Sequence, residues 1–247
     1  MRPIKVQFLI GGTQKGGTTA LDAYLRMHPS VKMAQKKEVH FFDNEAYFKN
    51  TEVNYSLYHA NFTPDNPNQI LGEATPIYMY WRPSPKRICK YNPAMKWILI
   101  LRNPIERAYS QWNMESKRRT ESLPFIDALL REKALSQSLA NQHRVYSYVD
   151  RGFYSEQIQR ILQYFPVQQM FFLKSEDLQN ATKDSLNKVC DFLEIKNMPE
   201  TSYKKMHVGS YDTGMPEAER AYMKEVFKIE IHALEKLLGW DCGSWLV

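Results

Sequence analysis

A glycine-rich segment near the start of the chain constrains its fold more than any other feature. Residues 8–19 run from an apolar stretch into Gly-Gly-Thr-Gln-Lys-Gly-Gly-Thr-Thr, and a helical pattern begins at Ala20. Glycines let backbone N–H groups approach an anion closely, and the N-terminus of a helix adds positive potential. The order of strand, glycine-rich turn and helix therefore predicts a phosphate-binding loop in an α/β fold.

The spacing of this loop differs from that of a Walker A motif. A Walker A motif has Gly, four residues, then Gly-Lys followed by Ser or Thr. Here Gly12 and Gly17 have that separation, but Thr18 occupies the lysine position and the lysine lies inside the loop as Lys15. A glycine-rich turn can also be only a tight connection. The internal lysine and the two threonines favour a phosphate site whose cation differs in position from that of a nucleotide kinase.

Composition limits the classes of protein that the chain can represent. Its 247 residues, 43% of them hydrophobic, fit one globular domain over residues 1–247. The net charge of +6 suits an anionic ligand. Basic residues do not alternate with aromatic residues as a nucleic-acid groove requires, so we expect no nucleic-acid partner. The three widely spaced cysteines predict neither a disulfide framework nor a zinc site, and we expect no metal.

The apolar runs and the start of the chain bear on localisation. The longest apolar runs, residues 97–101 and 170–173, are too short to span a bilayer. No charged and then apolar leader precedes the first predicted strand. We therefore expect a cytoplasmic protein without membrane association. No sequence feature specifies an oligomeric state.

Strand and helix patterns alternate along the chain. The predicted strands are residues 4–10, 70–73, 96–101 and 170–173. The predicted helices are residues 18–27, 53–61, 85–91, 105–118, 123–133, 155–164, 183–194 and 216–238. This alternation predicts a P-loop-like, three-layer α/β fold with a central parallel sheet flanked by helices.

A second basic residue follows a buried strand. The apolar run 97–101 ends directly at Arg102, as the first strand leads into the loop that carries Lys15. In open parallel sheets, ligands bind beyond the carboxyl ends of the strands. We therefore expect Lys15 and Arg102 to converge on one anion that is charged at both ends.

Three segments together resemble a known family. Residues 12–21 resemble the 5′-phosphosulfate loop of sulfotransferases that use 3′-phosphoadenosine 5′-phosphosulfate (PAPS), and residues 101–110 resemble their 3′-phosphate motif. Residues 37–43, Lys-Glu-Val-His-Phe-Phe-Asp, resemble a segment of the branch that sulfates heparan-sulfate glucosamine at nitrogen or the 3-hydroxyl. Weaker likeness covers residues 72–78, 154–166 and 237–241.

The resemblance implies an enzyme that passes a sulfuryl group from PAPS, as co-substrate, to a hydroxyl or amine. It implies that Lys15 stabilises the leaving phosphate and that Glu38 is the general base. His40 is implied to act in catalysis and to lie with Asp43 near a glycan or small-molecule acceptor. Glu73, at the end of a predicted strand, is the second candidate for the base and another acceptor contact. The residues implied to bind the donor are Gln14, Lys15, Gly16, Gly17, Thr18, Thr19, Arg102, Ser110, Gly209 and Ser210.

The chain also departs from the animal members of that branch. Their basic Lys-Gly-Arg turn aligns with Val208-Gly209-Ser210, which carries no cation, and Ala74 replaces a lysine. These departures favour a bacterial or viral relative with a smaller acceptor. Two other functions stay open: a P-loop nucleotide kinase or NTPase, and a non-catalytic module that binds a nucleotide or a sulfated glycan.

Overall fold

The computed structural model describes residues 5–138, 142–199 and 214–247. The strands in these residues are β1 (Phe8–Gly12), β2 (Val31–Met33), β3 (Ile70–Ala74), β4 (Lys96–Leu101) and β5 (Met170–Lys174). The helices in the same residues are α1 (Thr18–Arg26), α2 (Ser56–His59), α3 (Ile77–Tyr80), α4 (Ser84–Tyr91), α5 (Pro104–Lys117), α6 (Phe125–Ser138), α7 (Tyr154–Leu162), α8 (Ser175–Asn180), α9 (Thr182–Leu193) and α10 (Glu217–Leu238).

The five strands form one parallel sheet in the order β2-β3-β1-β4-β5. The central strand β1 pairs with β3 on one side, where Phe8 is opposite Gly72, and with β4 on the other, where Phe8 is opposite Lys96. The strand order is not the chain order, so helical connections cross over between parallel strands. A parallel sheet with flanking helices confirms the predicted fold class.

The chain folds into two compact units. The first contains the described residues within 1–101 and 160–206, and it includes the whole sheet. The second contains the described residues within 102–159 and 207–247. The single domain expected over residues 1–247 stays a prediction.

The core of the first unit lies on both faces of its sheet, because alternate residues of a strand point to opposite faces. Ile98 and Ile100 of β4 join a buried cluster with residues of α1 and α9. Trp97, which precedes Ile98 and points to the opposite face, packs on the ring of Phe165 with 5.6 Å between ring centroids. A strand buried on both faces explains the continuous apolar run from Trp97 to Leu101, all of which is fully buried.

The second unit begins with a well-defined helix start. The side chain of Asn103 accepts a hydrogen bond from the backbone N–H of Ile105, and Pro104 occupies the first helical position of α5. Further along, Gly152 packs so tightly that an added Cβ would lie 2.5 Å from the Phe227 ring. Only glycine fits there, so that ring can pack directly on the backbone.

Several element boundaries differ from the predictions. The first strand runs to Gly12, two residues further than expected, and the helix predicted over 53–61 is limited to Ser56–His59. The Asn54 side chain accepts from the N–H of Ser56 and starts the helix there. The short elements β2, α3 and α8 were not predicted. Among the described residues, no helix is both long enough and apolar enough to cross a membrane.

Candidate active site

The glycine-rich loop lies at the carboxyl ends of the central strands of the first unit. The backbone N–H of Thr13 donates to the carbonyl of Ile100 in β4, at 2.9 Å, and the N–H of Gly16 donates to Thr13 at 3.0 Å. A Cβ on Gly16 would lie 2.4 Å from the Ile100 oxygen, closer than any real contact. The tight turn therefore requires glycine at position 16.

The first turn of α1 follows this loop directly, with Gly17 as its N-cap. Gly17 has φ of 107°, a left-handed conformation that suits glycine, and because glycine has no side chain the helix start has no side-chain cap. Its carbonyl accepts from the N–H groups of Ala20 and Leu21 at 3.0 and 3.2 Å. The first N–H groups of any helix have no acceptor within the helix. A helix start without a side-chain cap suits an anion.

The polar side chains of the loop differ in exposure. Lys15 and Gln14 are half-buried, Thr18 is buried and Thr19 is exposed. Lys15 has φ of 71°, in the left-handed region that residues with a Cβ rarely adopt. Such backbone strain clusters at ligand-binding and catalytic positions. The loop thus combines a cation, a hydroxyl and backbone donors in a fixed conformation.

The segment that carries Glu38 is attached to the same edge of the sheet. The N–H of Glu38 donates to the carbonyl of Ala74, the last residue of β3, at 3.0 Å. The next residue, Thr75, donates its N–H to Ile10 of β1 at 3.2 Å. Since β1 leads directly into the glycine-rich loop, both segments belong to the carboxyl edge of the sheet.

Glu38, His40 and Asp43 form one array. His40 Nδ1 lies 2.9 Å from Asp43 Oδ2, and His40 Nε2 lies 3.5 Å from Glu38 Oε2. On the other side, Lys37 Nζ donates to Glu38 Oε1 at 2.7 Å. Asp43 is fully buried, whereas the His40 side chain is 41% exposed. Charges of alternating sign therefore follow one another from buried Asp43 through His40 and Glu38 to Lys37.

This array shifts the pKa values of its members in opposite directions. The His40 contact and Lys37 hold the pKa of Glu38 at about 2, against partial burial, which raises it. The hydrogen bond to Asp43, together with Glu38, raises the pKa of His40 to about 9. Near neutral pH the array therefore holds an ionised Glu38 beside an imidazolium. Both residues have positive φ, 60° for Glu38 and 55° for His40. The backbone is therefore strained at both catalytic candidates.

Glu73 occupies a different environment. It is fully buried, and three hydroxyl groups donate to it: Tyr58 at 2.6 Å, Thr75 at 2.7 Å and Tyr78 at 3.2 Å. Burial raises the pKa of Glu73 to about 7, although these hydrogen bonds act in the opposite direction. Direct contact between Glu73 and an acceptor is not favoured by this enclosure.

The candidate ligands of the 3′-phosphate belong to the second unit. Arg102 is half-buried and its carbonyl accepts a hydrogen bond from the Tyr154 hydroxyl at 2.9 Å. Ser110 is buried on α5 with 2% exposure. Arg107 is fully buried and donates to Gln111 at 2.7 Å, so it is an internal residue of this unit and not a surface residue. The predicted convergence of Lys15 and Arg102 stays a prediction.

Two groups of residues around the site were missed by sequence reasoning. Lys37 was not among the predicted site residues, yet it pairs with Glu38. Two of the three hydroxyl groups around Glu73 belong to Tyr58 and Tyr78, which are ordinary aromatic core positions in the sequence, so no local pattern indicates them. Gly209 and Ser210 lie outside the described residues. In the part of the chain that the structure describes, no cluster of His, Cys, Asp or Glu could hold a metal ion.

A glycine-rich loop after the central strand of a parallel sheet, with a carboxylate on the same edge, defines an α/β protein of the P-loop-like class. The chain belongs to the sulfotransferase family, since the profile of the family described as Sulfotransferase domain matches residues 5–213.

Curated relatives and a solved structure agree with this membership. The chain is 34% identical over 192 residues to heparan sulfate glucosamine 3-O-sulfotransferase 6 of Homo sapiens, covering 78% of this chain and 53% of the relative. It is 30% identical to heparan sulfate glucosamine 3-O-sulfotransferase 3B1 of Homo sapiens, covering 78% and 47%. The chain thus spans about half the length of the curated relatives it matches.

A sulfotransferase structure from Alicyclobacillus acidocaldarius has a similar fold. It superimposes with a TM-score of 0.82 over 98% of this chain and 99% of that one, at 24% identity. A sulfotransferase domain from the curacin biosynthetic pathway gives a TM-score of 0.51 at 16% identity, over 81% of this chain and 78% of that one. At these identities the likeness supports the fold alone.

Proposed function

We propose that the protein is an enzyme that transfers a sulfuryl group from PAPS to a hydroxyl or amine of a carbohydrate or small metabolite. The observation that carries the proposal is the ionised Glu38, tied through Ala74 to the edge of the sheet where the glycine-rich loop begins. A phosphate site and a proton acceptor at one sheet edge are the two requirements of sulfuryl transfer.

The loop is suited to the 5′ end of the donor. The close approach of Gly16 to Ile100 makes a cradle that a Cβ would fill, and the uncapped start of α1 supplies backbone donors. In our proposal Lys15 neutralises the charge that develops on the leaving phosphate. The other donor contacts at this end are Gln14, Gly16, Gly17, Thr18 and Thr19. For the 3′-phosphate we propose Arg102 and Ser110, and Gly209 with Ser210 stay predictions.

Glu38 is proposed to take the acceptor proton. The bond between sulfur and the phosphate oxygen breaks, a bond from the acceptor oxygen or nitrogen to sulfur forms, and the acceptor proton passes to Glu38. A carboxylate with a pKa of about 2 is a weak base. The acceptor becomes strongly acidic as its bond to sulfur forms, so a weak base that is always ionised suffices late in the step. His40 and Asp43 keep that carboxylate in place.

A sugar hydroxyl is the first acceptor class to test. The matched relatives carry names that specify 3-O-sulfation of heparan sulfate glucosamine, and residues 37–43 carry the resemblance to that branch. We also retain a cytoplasmic location as a proposal.

Calorimetry with three nucleotides tests the donor class. Adenosine 3′,5′-bisphosphate should bind more tightly than AMP or ATP, because only it carries both phosphates of the donor. Turnover with PAPS is then measured against a panel of glucosamine-containing oligosaccharides and small alcohols. Magnesium-dependent ATP hydrolysis would instead indicate an NTPase, and tight bisphosphate binding without any transfer would indicate a binding module.

A further inference from the structure

A single hydroxyl group in the first unit connects buried Glu73 to the backbone beside the catalytic candidates. Tyr78 Oη accepts hydrogen bonds from the N–H groups of Phe41 and Phe42, at 3.0 and 3.4 Å. It also lies 3.2 Å from Glu73 Oε1. A phenol has one proton and two lone pairs, so both N–H bonds are accepted while the proton points to Glu73.

The two residues that Tyr78 fixes separate His40 from Asp43. The alignment of the 2.9 Å contact between His40 and Asp43 depends on the backbone conformation across Phe41 and Phe42. The carbonyl of Phe42 is also fixed, because Ser84 and Arg87 donate to it at 3.2 and 3.0 Å. The N–H side of this short segment, in contrast, depends on Tyr78.

The ionised form of Glu73 is the form that orients Tyr78. A carboxylate only accepts hydrogen bonds, and here it accepts from Tyr58, Thr75 and Tyr78. All three hydroxyl protons are thereby directed at Glu73, which leaves the Tyr78 lone pairs for the backbone. A donor group in place of one carboxylate oxygen would compete with these hydroxyl protons.

We propose that Tyr78 and Glu73 are positioning residues for the transfer reaction. Glu73 orients the Tyr78 hydroxyl, and that hydroxyl fixes the backbone of Phe41 and Phe42 so that His40 remains aligned between Asp43 and Glu38. This inference rests on the proposed function for its kinetic consequence, although the positioning itself is a property of the folded chain.

The test compares Tyr78→Phe with Tyr58→Phe. Both variants keep the ring and remove one hydroxyl donor to Glu73, but only Tyr78 contacts the N–H groups of Phe41 and Phe42. In Tyr78→Phe two buried N–H groups lose their acceptor, so their hydrogen exchange should be about tenfold faster or more. In Tyr58→Phe, exchange at these two amides should stay within about threefold of the wild type.

Kinetics supply the second readout. We expect Tyr78→Phe to lower kcat about tenfold, while the Kd of adenosine 3′,5′-bisphosphate stays within about threefold. A variant damaged only in its overall packing would lose bisphosphate binding and kcat together. If the wild type neither binds the bisphosphate nor transfers sulfate, the proposed function fails, yet hydrogen exchange still tests the positioning.

Equal exchange at Phe41 and Phe42 in the two variants, with equal kcat, overturns the proposal. If Tyr78→Phe does not fold, Glu73→Gln is measured in the same way, with the same expected loss. The wild type provides a check that needs no variant, since both amides should exchange as slowly as those of β3. Fast exchange at either amide also overturns the proposal.

Discussion

His40 Nδ1 lies 2.9 Å from Oδ2 of Asp43, so a fully buried carboxylate anchors an imidazole that is partly exposed to solvent. The other ring nitrogen of His40 lies 3.5 Å from Glu38. The array continues to Lys37, whose ammonium donates to Glu38. Each charge in this series has neighbours of the opposite sign. That order explains why the pKa of Glu38 is lowered while that of His40 is raised.

The His40 shift predicts a pH dependence of stability. The pKa of His40 is about 9 in the folded protein, against an ordinary value of 6.5. A pKa raised by folding stabilises the protein fully below 6.5, and this contribution is lost as the pH rises through about 9. The difference in Tm between the wild type and His40→Gln should therefore shrink across that window.

Glu38 predicts the opposite pH dependence of stability, on the acidic side. Its pKa falls from 4.5 to about 2, so its contribution is present above pH 4.5 and is lost as the pH falls toward 2. Thermal melts of the wild type and His40→Gln from pH 2 to pH 9 check both pH dependences: the Tm difference should shrink as the pH falls below 4.5 and as it rises above 6.5. If the Tm difference stays constant between pH 6.5 and pH 9, His40 is not held as a cation in the folded protein.

Glu38→Gln tests the proton acceptor. The amide keeps the size of the side chain but cannot take a proton, so kcat should fall by about 10²-fold or more. The Kd of adenosine 3′,5′-bisphosphate should change little, because the proposed donor contacts lie elsewhere. Glu52→Gln is the matched control, since Glu52 is exposed. A kcat equal to that of the control would remove Glu38 from the mechanism.

Lys15→Ala tests the charge at the leaving group. If Lys15 neutralises the departing phosphate, the variant should lose about 10²-fold or more in kcat while it remains folded. Lys90→Ala is the control, because Lys90 is exposed on α4 and far along the chain from the loop. Steady-state turnover measures the loss of catalysis, and circular dichroism shows whether the variant remains folded. Normal turnover by Lys15→Ala contradicts the assignment.

Gly16→Ala tests the shape of the loop. The added Cβ would lie 2.4 Å from the backbone oxygen of Ile100, so the loop must shift. We expect a loss of about 1–3 kcal/mol in the free energy of unfolding, together with weaker bisphosphate binding. A Cβ on Gly214 meets nothing within 4 Å, which makes Gly214→Ala the matched control. Denaturant unfolding and calorimetry give the two quantities, and equal values for both variants would contradict the prediction.

The strands that sequence predicted best are those whose residues are apolar on both faces. β4 was predicted as residues 96–101 and is observed as Lys96–Leu101, because a continuous apolar run has few other stable environments. β2 has only three residues, Val31–Met33, with a lysine at its centre. It is a strand because Val31 pairs with Ile70 of β3, and such a tertiary contact leaves no local signal.

The candidate site also contains residues whose proximity the sequence predicts and residues whose contacts it does not. Glu38, His40 and Asp43 lie within six residues of one another, so their proximity follows from the local chain. Glu73 was predicted to lie near the acceptor, yet it is fully buried, and one of its hydrogen-bond donors is the hydroxyl of Tyr58 from another element. Sequence spacing does not specify those contacts. Glu38, whose backbone is left-handed, likewise donates its N–H to the carbonyl of Ala74, which is distant in the chain.

Arg102→Ala tests the proposed contact with the 3′-phosphate. Adenosine 3′,5′-bisphosphate and AMP differ only in that phosphate, so the ratio of their Kd values isolates the contribution of its ligands. Loss of a charged hydrogen-bond donor to the 3′-phosphate should weaken binding of the bisphosphate, because charge-assisted hydrogen bonds are among the stronger ones. The Kd of AMP divided by the Kd of the bisphosphate should therefore fall about tenfold or more. Affinity for AMP should hardly change. Arg118→Ala is the matched control, since the side chain of Arg118 is 61% exposed and its pair with Glu115 is long, at 3.6 Å. If both variants keep the wild-type ratio, the 3′-phosphate is bound by other residues. A parallel loss of affinity for both nucleotides would instead assign Arg102 to the part of the ligand that they share.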